Sequence, residues 1–328
     1  MTALRTRGAW LAIAVAAALV VAIGVAAAGA FGGCEDQTAK VGRPSAAVTA
    51  TAYGSVGYVT AKTLAESAPK RVADTWGEIR GREAVYAAFQ RYGYFPRMQE
   101  FIARGTAGRV HSANIVAVKE GDSPKQLIVG AHYDSAAQGQ GYADNATGIG
   151  LLLEAAARVK RQLTPYTIVF IAFGGEEKGE AGSRYYVSQM TPVERKATLG
   201  MINLDAPAGG AEISVTSAPG APTWLRDDVL TAAQSQGMKL ASGPADDGLP
   251  AGVARTPGDD DPFAAAGMAT ATFTSGPWDA EDGAGPHVAA RDTVTYIDGR
   301  YPGRVRQQLR QLSRLLETLL TSKLETHR

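Results

Sequence analysis

Cysteine is almost absent: Cys34 is the single one in 328 residues. That excludes any intrachain disulfide and any cysteine-built zinc knuckle or iron–sulfur centre. Histidine is nearly as scarce, with only His111, His132, His287 and His327. A metal site in this chain must therefore lean on carboxylates. Excess charge of one sign is also missing, since 33 Lys and Arg face 32 Asp and Glu for a formal +1. This excludes a strongly basic nucleic-acid binder, and no nucleic acid is expected as a partner. The balance hides an uneven start, because residues 1–34 hold Arg5 and Arg7 and no acid. The remainder has 31 bases against 32 acids, so a basic stripe is not its means of recognition.

Arg5 and Arg7 precede an uncharged, Ala-, Val-, Leu-, Ile- and Gly-rich run over residues 8–33. As a helix rising about 1.5 Å per residue, such a run spans a bilayer. A cleavable signal peptide has a shorter apolar core of about 7–15 residues, so length favours a retained signal anchor. Ala30-Phe31-Gly32-Gly33-Cys34 offers the alternative of a lipoprotein signal. It resembles a degenerate lipobox with Phe31 in place of Leu, whose cysteine would be acylated after cleavage. With either segment the membrane is a partner, and with these or simple secretion the body lies outside the cytoplasm. Residues 35–60 are small and polar and read as a tether. Residues 61–328 show no repeat and no second linker, and read as one domain.

Within that domain, residues 84–92 form an amphipathic pattern that stops at Gly93 and predict a helix, and residues 112–118 predict a strand. Three further apolar runs, residues 126–131, 167–173 and 200–204, are short and hydrophobic on both faces. Such runs suit strands covered by helices on either side. Residues 148–160 carry Ile149, Leu152, Leu153 and Ala156 on one stripe, a helix between the first two strands. The alternation implies βαβ crossovers and an α/β fold with a largely parallel sheet. Leu at helical spacing through residues 305–323 closes the domain with an amphipathic helix.

Each of the three strands finishes in groups that bind metals. His132-Tyr133-Asp134 follows the first, Glu176-Glu177 the second and Asp205 the third. The carboxyl ends of strands are where open α/β sheets build sites, so a shared site is the economical reading. His132 and Asp134 at i and i+2 share one face of an extended chain, so the carboxylate can orient the imidazole or simply pack. Asp144, next to Asn145 and just ahead of a helix, reads either as a ligand or as a helix cap. Glu176 and Glu177 repel each other unless a cation takes one charge while the other acts as a base; the alternative is a solvated glycine-rich turn. His287 is placed to close the site from another loop. Two histidines, three carboxylates and a spare glutamate suit two Zn²⁺ ions about 3.5–4 Å apart sharing one aspartate. Asp259 to Asp261 form an acidic run that reads as a solvated loop or as an attractor for a substrate ammonium.

The body resembles the zinc aminopeptidases of family M28. The resemblance is carried by His132-Tyr133-Asp134-Ser135, Asp144-Asn145-Ala146-Thr147-Gly148, Gly175-Glu176-Glu177-Lys178-Gly179, Asn203-Leu204-Asp205 and His287, in the family's order over residues 80–325. It implies a mixed, largely parallel eight-stranded sheet between helices and a di-zinc exopeptidase acting on peptide substrates. By the same resemblance His132 and Asp205 hold one zinc, Glu177 and His287 the other, and Asp144 bridges them. Glu176 is then the general base, and Asp134 fixes the His132 ring from its far nitrogen. Ala143 replaces the acid that often precedes the bridging aspartate, and residues 258–263 lack the histidine of the family's Ser-Asp-His-x-x-Phe pattern. A glutaminyl cyclase-like acyltransferase or a carboxypeptidase on the same scaffold is an alternative, and a catalytically silent extracytoplasmic binding domain is another.

Overall fold

A computed structural model describes residues 51–106, 108–242, 255–276 and 288–324. The apolar run, Cys34, residues 35–50 and His287 lie outside these. The helices α1 (Ser55–Ser67) and α2 (Trp76–Arg91) lead into β1 (Arg97–Gly105) and β2 (Gly108–Lys119). A βαβ unit follows, made of β3 (Gln126–His132), α3 (Gly148–Val159) and β4 (Thr167–Phe173). The helices α4 (Ala181–Gln189) and α5 (Pro192–Ala197) then carry the chain to β5 (Thr198–Leu204). Next come β6 (Glu212–Thr216), α6 (Trp224–Ser235), α7 (Asp261–Ala265) and β7 (Ala269–Gly276), and finally α8 (Val294–Arg300) and α9 (Arg304–Thr321).

The strands form one mixed sheet in the order β1-β2-β4-β3-β5-β7-β6. Seven strands stand among the described residues where the resemblance implied eight. The inner four, β4, β3, β5 and β7, are parallel, while β1, β2 and β6 run against their neighbours. From β3 the chain crosses to β4 on one side and then to β5 on the other, which opens a crevice at the carboxyl end of β3. Both faces of the inner strands are covered. Leu127, Val129 and Ala131 of β3 join α3 and α9 in one core, while Ile128 joins Val169, Met201 and Phe263 in the other. That two-sided burial is why these strands read as unbroken apolar runs. In α9 the leucines Leu309, Leu312, Leu316, Leu319 and Leu320 are buried on one stripe, as their spacing predicts.

The folded body starts earlier than residue 61. The helix α1 packs on α3, and its small residues allow close contact: a Cβ on Gly150 would come within 2.3 Å of the Gly57 carbonyl oxygen. Small side chains that read as tether composition are here a packing surface. The start of α1 is fixed by Glu154 of α3, fully buried, which accepts the backbone N–H groups of Gly54 (2.7 Å) and Gly57 (2.6 Å). Arg158 Nε and Ser313 Oγ of α9 also donate to Glu154, each at 2.7 Å. One carboxylate thus ties three helices. Glu154→Ala, which removes the buried carboxylate partner of Arg158 and strips four donors of their shared acceptor, is expected to cost about 3–5 kcal/mol in urea unfolding. A loss below about 1 kcal/mol would contradict that account.

Candidate active site

The crevice at the end of β3 gathers the side chains. His132, the last residue of β3, is buried and points its Nε2 at Asp144 Oδ1 (3.1 Å) and Asp205 Oδ1 (3.5 Å). Glu176 Oε2 lies 3.9 Å from the same nitrogen. Asp144 comes from the turn ahead of α3, Glu176 from the turn after β4 and Asp205 from the residue after β5. Three strand ends therefore deliver to one point.

The other ring nitrogen, His132 Nδ1, is 3.2 Å from the Asp134 main-chain carbonyl and 3.6 Å from its carboxylate. A carbonyl only accepts, so Nδ1 is the donor, and a cation in the crevice would meet the lone pair of Nε2 once its proton is displaced. Asp134 does orient the site, but mostly elsewhere than expected. Its two carboxylate oxygens accept the backbone N–H groups of Glu176 (3.1 Å) and Glu177 (3.2 Å) and so fix the glutamate turn. Gly175 and Gly179, at φ 72° and 91°, bound that turn in a conformation other residues rarely adopt.

Of the neighbours Asp144 and Asn145, it is Asn145 that holds the start of the helix. Asn145 Oδ1 accepts the N–H of Gly148 at the start of α3 (3.0 Å) and of Ala206 (3.1 Å), and its Nδ2 donates to the Leu204 carbonyl (2.8 Å). It caps the helix and brackets Asp205 from both sides. Asp144 is thereby left to face His132.

Several supporting residues carry no motif of their own. Asp292, buried ahead of α8, accepts the N–H groups of Ala143 (2.7 Å) and Asp144 (3.1 Å). Arg71, fully buried between α1 and α2, donates to the carbonyls of Tyr133 (2.6 Å), Gln140 (2.9 Å), Gly141 (2.7 Å) and Ala68 (3.1 Å). It clamps the end of β3 to the loop that carries Asp144. From the far side, buried Glu78 holds the Tyr133 hydroxyl at 2.8 Å. Asp259 and Asp260 are buried too, so the acidic run is not a solvated loop. Arg255 pairs with Asp260, at the position of the missing family histidine, and donates to Asp261 at 2.6 Å. A Cβ on Gly258 would lie 3.3 Å from Asp205 Oδ2, so this segment walls the third strand's carboxylate.

Electrostatics set the site apart. Burial opposes a charged His132, yet the Glu176 charge and the bonds from Asp134, Asp144 and Asp205 hold its pKa well above the usual imidazole value. Burial, and then the charges of Asp205, Asp259 and Asp134, push Glu176 well up despite the opposing His132. Glu177 stands at the exposed rim, where desolvation and then the Asp144 charge lift it to about 7. So much negative charge in one crevice calls for a cation. His132, Asp144 and Asp205 each offer one ligand atom, all within 4.8 Å of one another. Ligands around tetrahedral zinc, with bonds of about 2.0–2.2 Å, stand roughly 3.3 Å apart, close to the two His132 separations here. The donor set therefore fits a zinc ion. Glu177 stands outside this trio, and His287 lies outside the described residues.

Burial raises Asp259 to about 8 and Asp292 to about 7, both from 3.8. In the folded, metal-free chain these acids keep protons that the unfolded chain releases near pH 4, and raised His132 acts in the same direction. The stability they contribute is present below about pH 4 and lost as the pH climbs towards 7–8. In chelator, Tm should fall between about pH 5.5 and 8, and zinc should narrow the gap; a rising Tm would refute this.

An imidazole, convergent carboxylates and a displaced, partly buried glutamate at a sheet's switch point define the site of a metal-dependent hydrolase. The sequence profile of Peptidase family M28 matches residues 114–313, and the chain belongs to that family. It is similar to the alkaline phosphatase isozyme conversion protein of Escherichia coli K12, with 28% identity over 312 residues covering 81% of this chain and 90% of that protein. Aminopeptidase YwaD of Bacillus subtilis is 29% identical over 196 residues, 57% of this chain and 40% of that protein. Among solved structures, a glutaminyl cyclase from an Acidobacteriales bacterium superposes with a TM-score of 0.67 at 18% identity, over 83% of this chain and 96% of that one. A zinc aminopeptidase from Bacillus subtilis gives 0.64 at 17% identity, over 84% and 97%. At such identities these structures establish the shared fold.

Proposed function

We propose that this protein is a zinc-dependent aminopeptidase, a hydrolase that removes single residues from the N-termini of peptides outside the cytoplasm. The observation that carries the reading is the meeting of His132, Asp144 and Asp205 within ligand distance, with Glu176 3.9 Å from the same imidazole nitrogen. His132 and Asp205 would hold one zinc and Glu177 and His287 a second, with Asp144 the carboxylate that could serve both. Zinc supplies Lewis acidity, polarising the scissile carbonyl and making water a better nucleophile near neutral pH. Glu176 takes the proton from the attacking water and passes it to the departing amine. Its carboxyl is already pushed up by burial, which suits a group that must both accept and return a proton. Asp134 keeps Glu176 aimed through the backbone of the turn. Residues 1–34 serve as signal anchor or lipoprotein signal, so the enzyme works beside a membrane.

The charge of the crevice supports an aminopeptidase over a carboxypeptidase. A substrate ammonium meets several carboxylates, whereas the buried cations nearby are engaged: Arg71 with four carbonyls and Arg255 with Asp260 and Asp261. The zinc-supplied full chain, given peptides that include one beginning with Gln, should release single N-terminal residues by mass spectrometry. Loss of ammonia from the Gln peptide alone would make it a cyclase. Release from the C-terminus, or no product at all, would equally overturn the proposal.

A further inference from the structure

We propose that the end of the domain opposite the catalytic residues docks on the headgroups of an anionic lipid bilayer. The parallel strands define two ends. Catalytic side chains lie where β3, β4 and β5 finish, and the turns ahead of these strands build the other end. Three of the most exposed large apolar side chains among the described residues sit on or beside those turns: Phe95 (99% exposed), Leu163 (82%) and Val193 (77%). Leu163 precedes β4, Val193 lies in α5 ahead of β5, and Phe95 joins α2 to β1.

Contacts knit these turns together. Lys160 Nζ lies 4.0 Å from the Tyr94 ring, setting the turn of Phe95 beside that of Leu163. The N–H of Asp122 donates to the Thr164 carbonyl at 2.9 Å, adding the turn ahead of β3. Gln126 pairs with Thr198 at the starts of β3 and β5, which sets the segment carrying Val193 beside the turn ahead of β3.

The segments that carry the apolar tips and the turn ahead of β3 also carry Arg91, Arg97, Lys125, Lys160, Arg161 and Lys196, against Glu120, Asp122 and Glu194. Apolar tips ringed by cations match the boundary between acyl chains and anionic headgroups. The same surplus of positive charge opposes pairing of this face with a second copy of itself. The backbone enters at this end as well, since Arg158 Nη2 donates to the carbonyl of Thr51, the first described residue, at 3.0 Å. Residues 34–50 can span at most about 60 Å, so a chain anchored by residues 1–33 stays within reach of the bilayer. Docking would point the crevice away from the membrane, towards arriving peptides. The proposal draws its nearby membrane from the anchor reading, but it stands on its own surface and fails separately.

The test mixes the zinc-supplied full chain with vesicles of phosphatidylcholine alone or with added phosphatidylglycerol. Flotation is measured together with amide hydrogen exchange over residues 93–97, 160–166 and 192–197. Exchange in all three segments should slow only on anionic vesicles and recover in about 0.5 M salt. A variant combining Lys160→Glu, Arg161→Glu and Lys196→Glu should lose the slowing, weaken patch binding roughly a hundredfold and keep its peptidase rate in solution. Phe95→Ser with Leu163→Ser should also lose it without loss of folding. Slowing on anionic vesicles without flotation on phosphatidylcholine would support docking while removing the anchor. Flotation with unchanged exchange would overturn docking while keeping the anchor, and slowing without lipid would assign the face to self-association and overturn it too.

Discussion

Glu176→Gln should lower kcat for aminoacyl-amide hydrolysis by about 10²–10⁴-fold while zinc content stays at the wild-type level. The substitution preserves the size of a side chain held in a tight turn. It leaves intact the backbone N–H groups of residues 176 and 177 that Asp134 accepts. What is removed is the carboxylate that lies 3.9 Å from His132 Nε2 without joining the ligand trio. A glutamine cannot take a proton from water or return one to an amine. KM should change little, because the lost interaction belongs to the transition state. Turnover close to wild type would remove Glu176 from the mechanism. Loss of zinc together with turnover would make it a ligand instead of a base.

Asp144→Asn should weaken zinc binding by more than about 100-fold, beyond the 10–100-fold that an outlying partner of a ligand usually commands. Asp144 Oδ1 is the carboxylate oxygen nearest to the inward nitrogen of His132, at 3.1 Å. The backbone there should stay in place, because Asp292 accepts the N–H of residue 144 and Asn145 secures the turn to Leu204 and Ala206. The loss would therefore report charge and not misfolding, which circular dichroism and Tm in chelator can verify. Competition with a chromophoric chelator measures the affinity. Two sites weakened together would match a shared ligand, one weakened site would confine Asp144 to a single ion, and unchanged binding would exclude it from both.

The sequence was most informative where burial is two-sided. Residues 167–173 were outlined to the residue because every position of β4 after Thr167 is buried. The side chains that meet in the crevice stood out for a related reason, since a carboxylate or histidine ending an apolar run has few structural explanations. Edge elements were harder. In β1 only Phe101 is buried, so no apolar alternation marks it. The start of the body was obscured because α1 packs through Gly57 and alanines, which resemble linker composition. Arg71 acts on backbone carbonyls supplied by distant segments, and neither partner leaves a trace in side-chain pattern. The acidic run at residues 259–261 misled in the opposite way. It is polar by composition, yet Asp259 and Asp260 are buried beside Asp205 and Arg255.

The central claim is that this crevice is a zinc site driving peptide hydrolysis. Its most direct test strips the full chain with a chelator, measures its metal content, and returns zinc stepwise while following release of N-terminal residues. The account predicts no turnover in the stripped protein and recovery that reaches its limit near two zinc ions per chain. Undiminished hydrolysis by protein with negligible metal would contradict it.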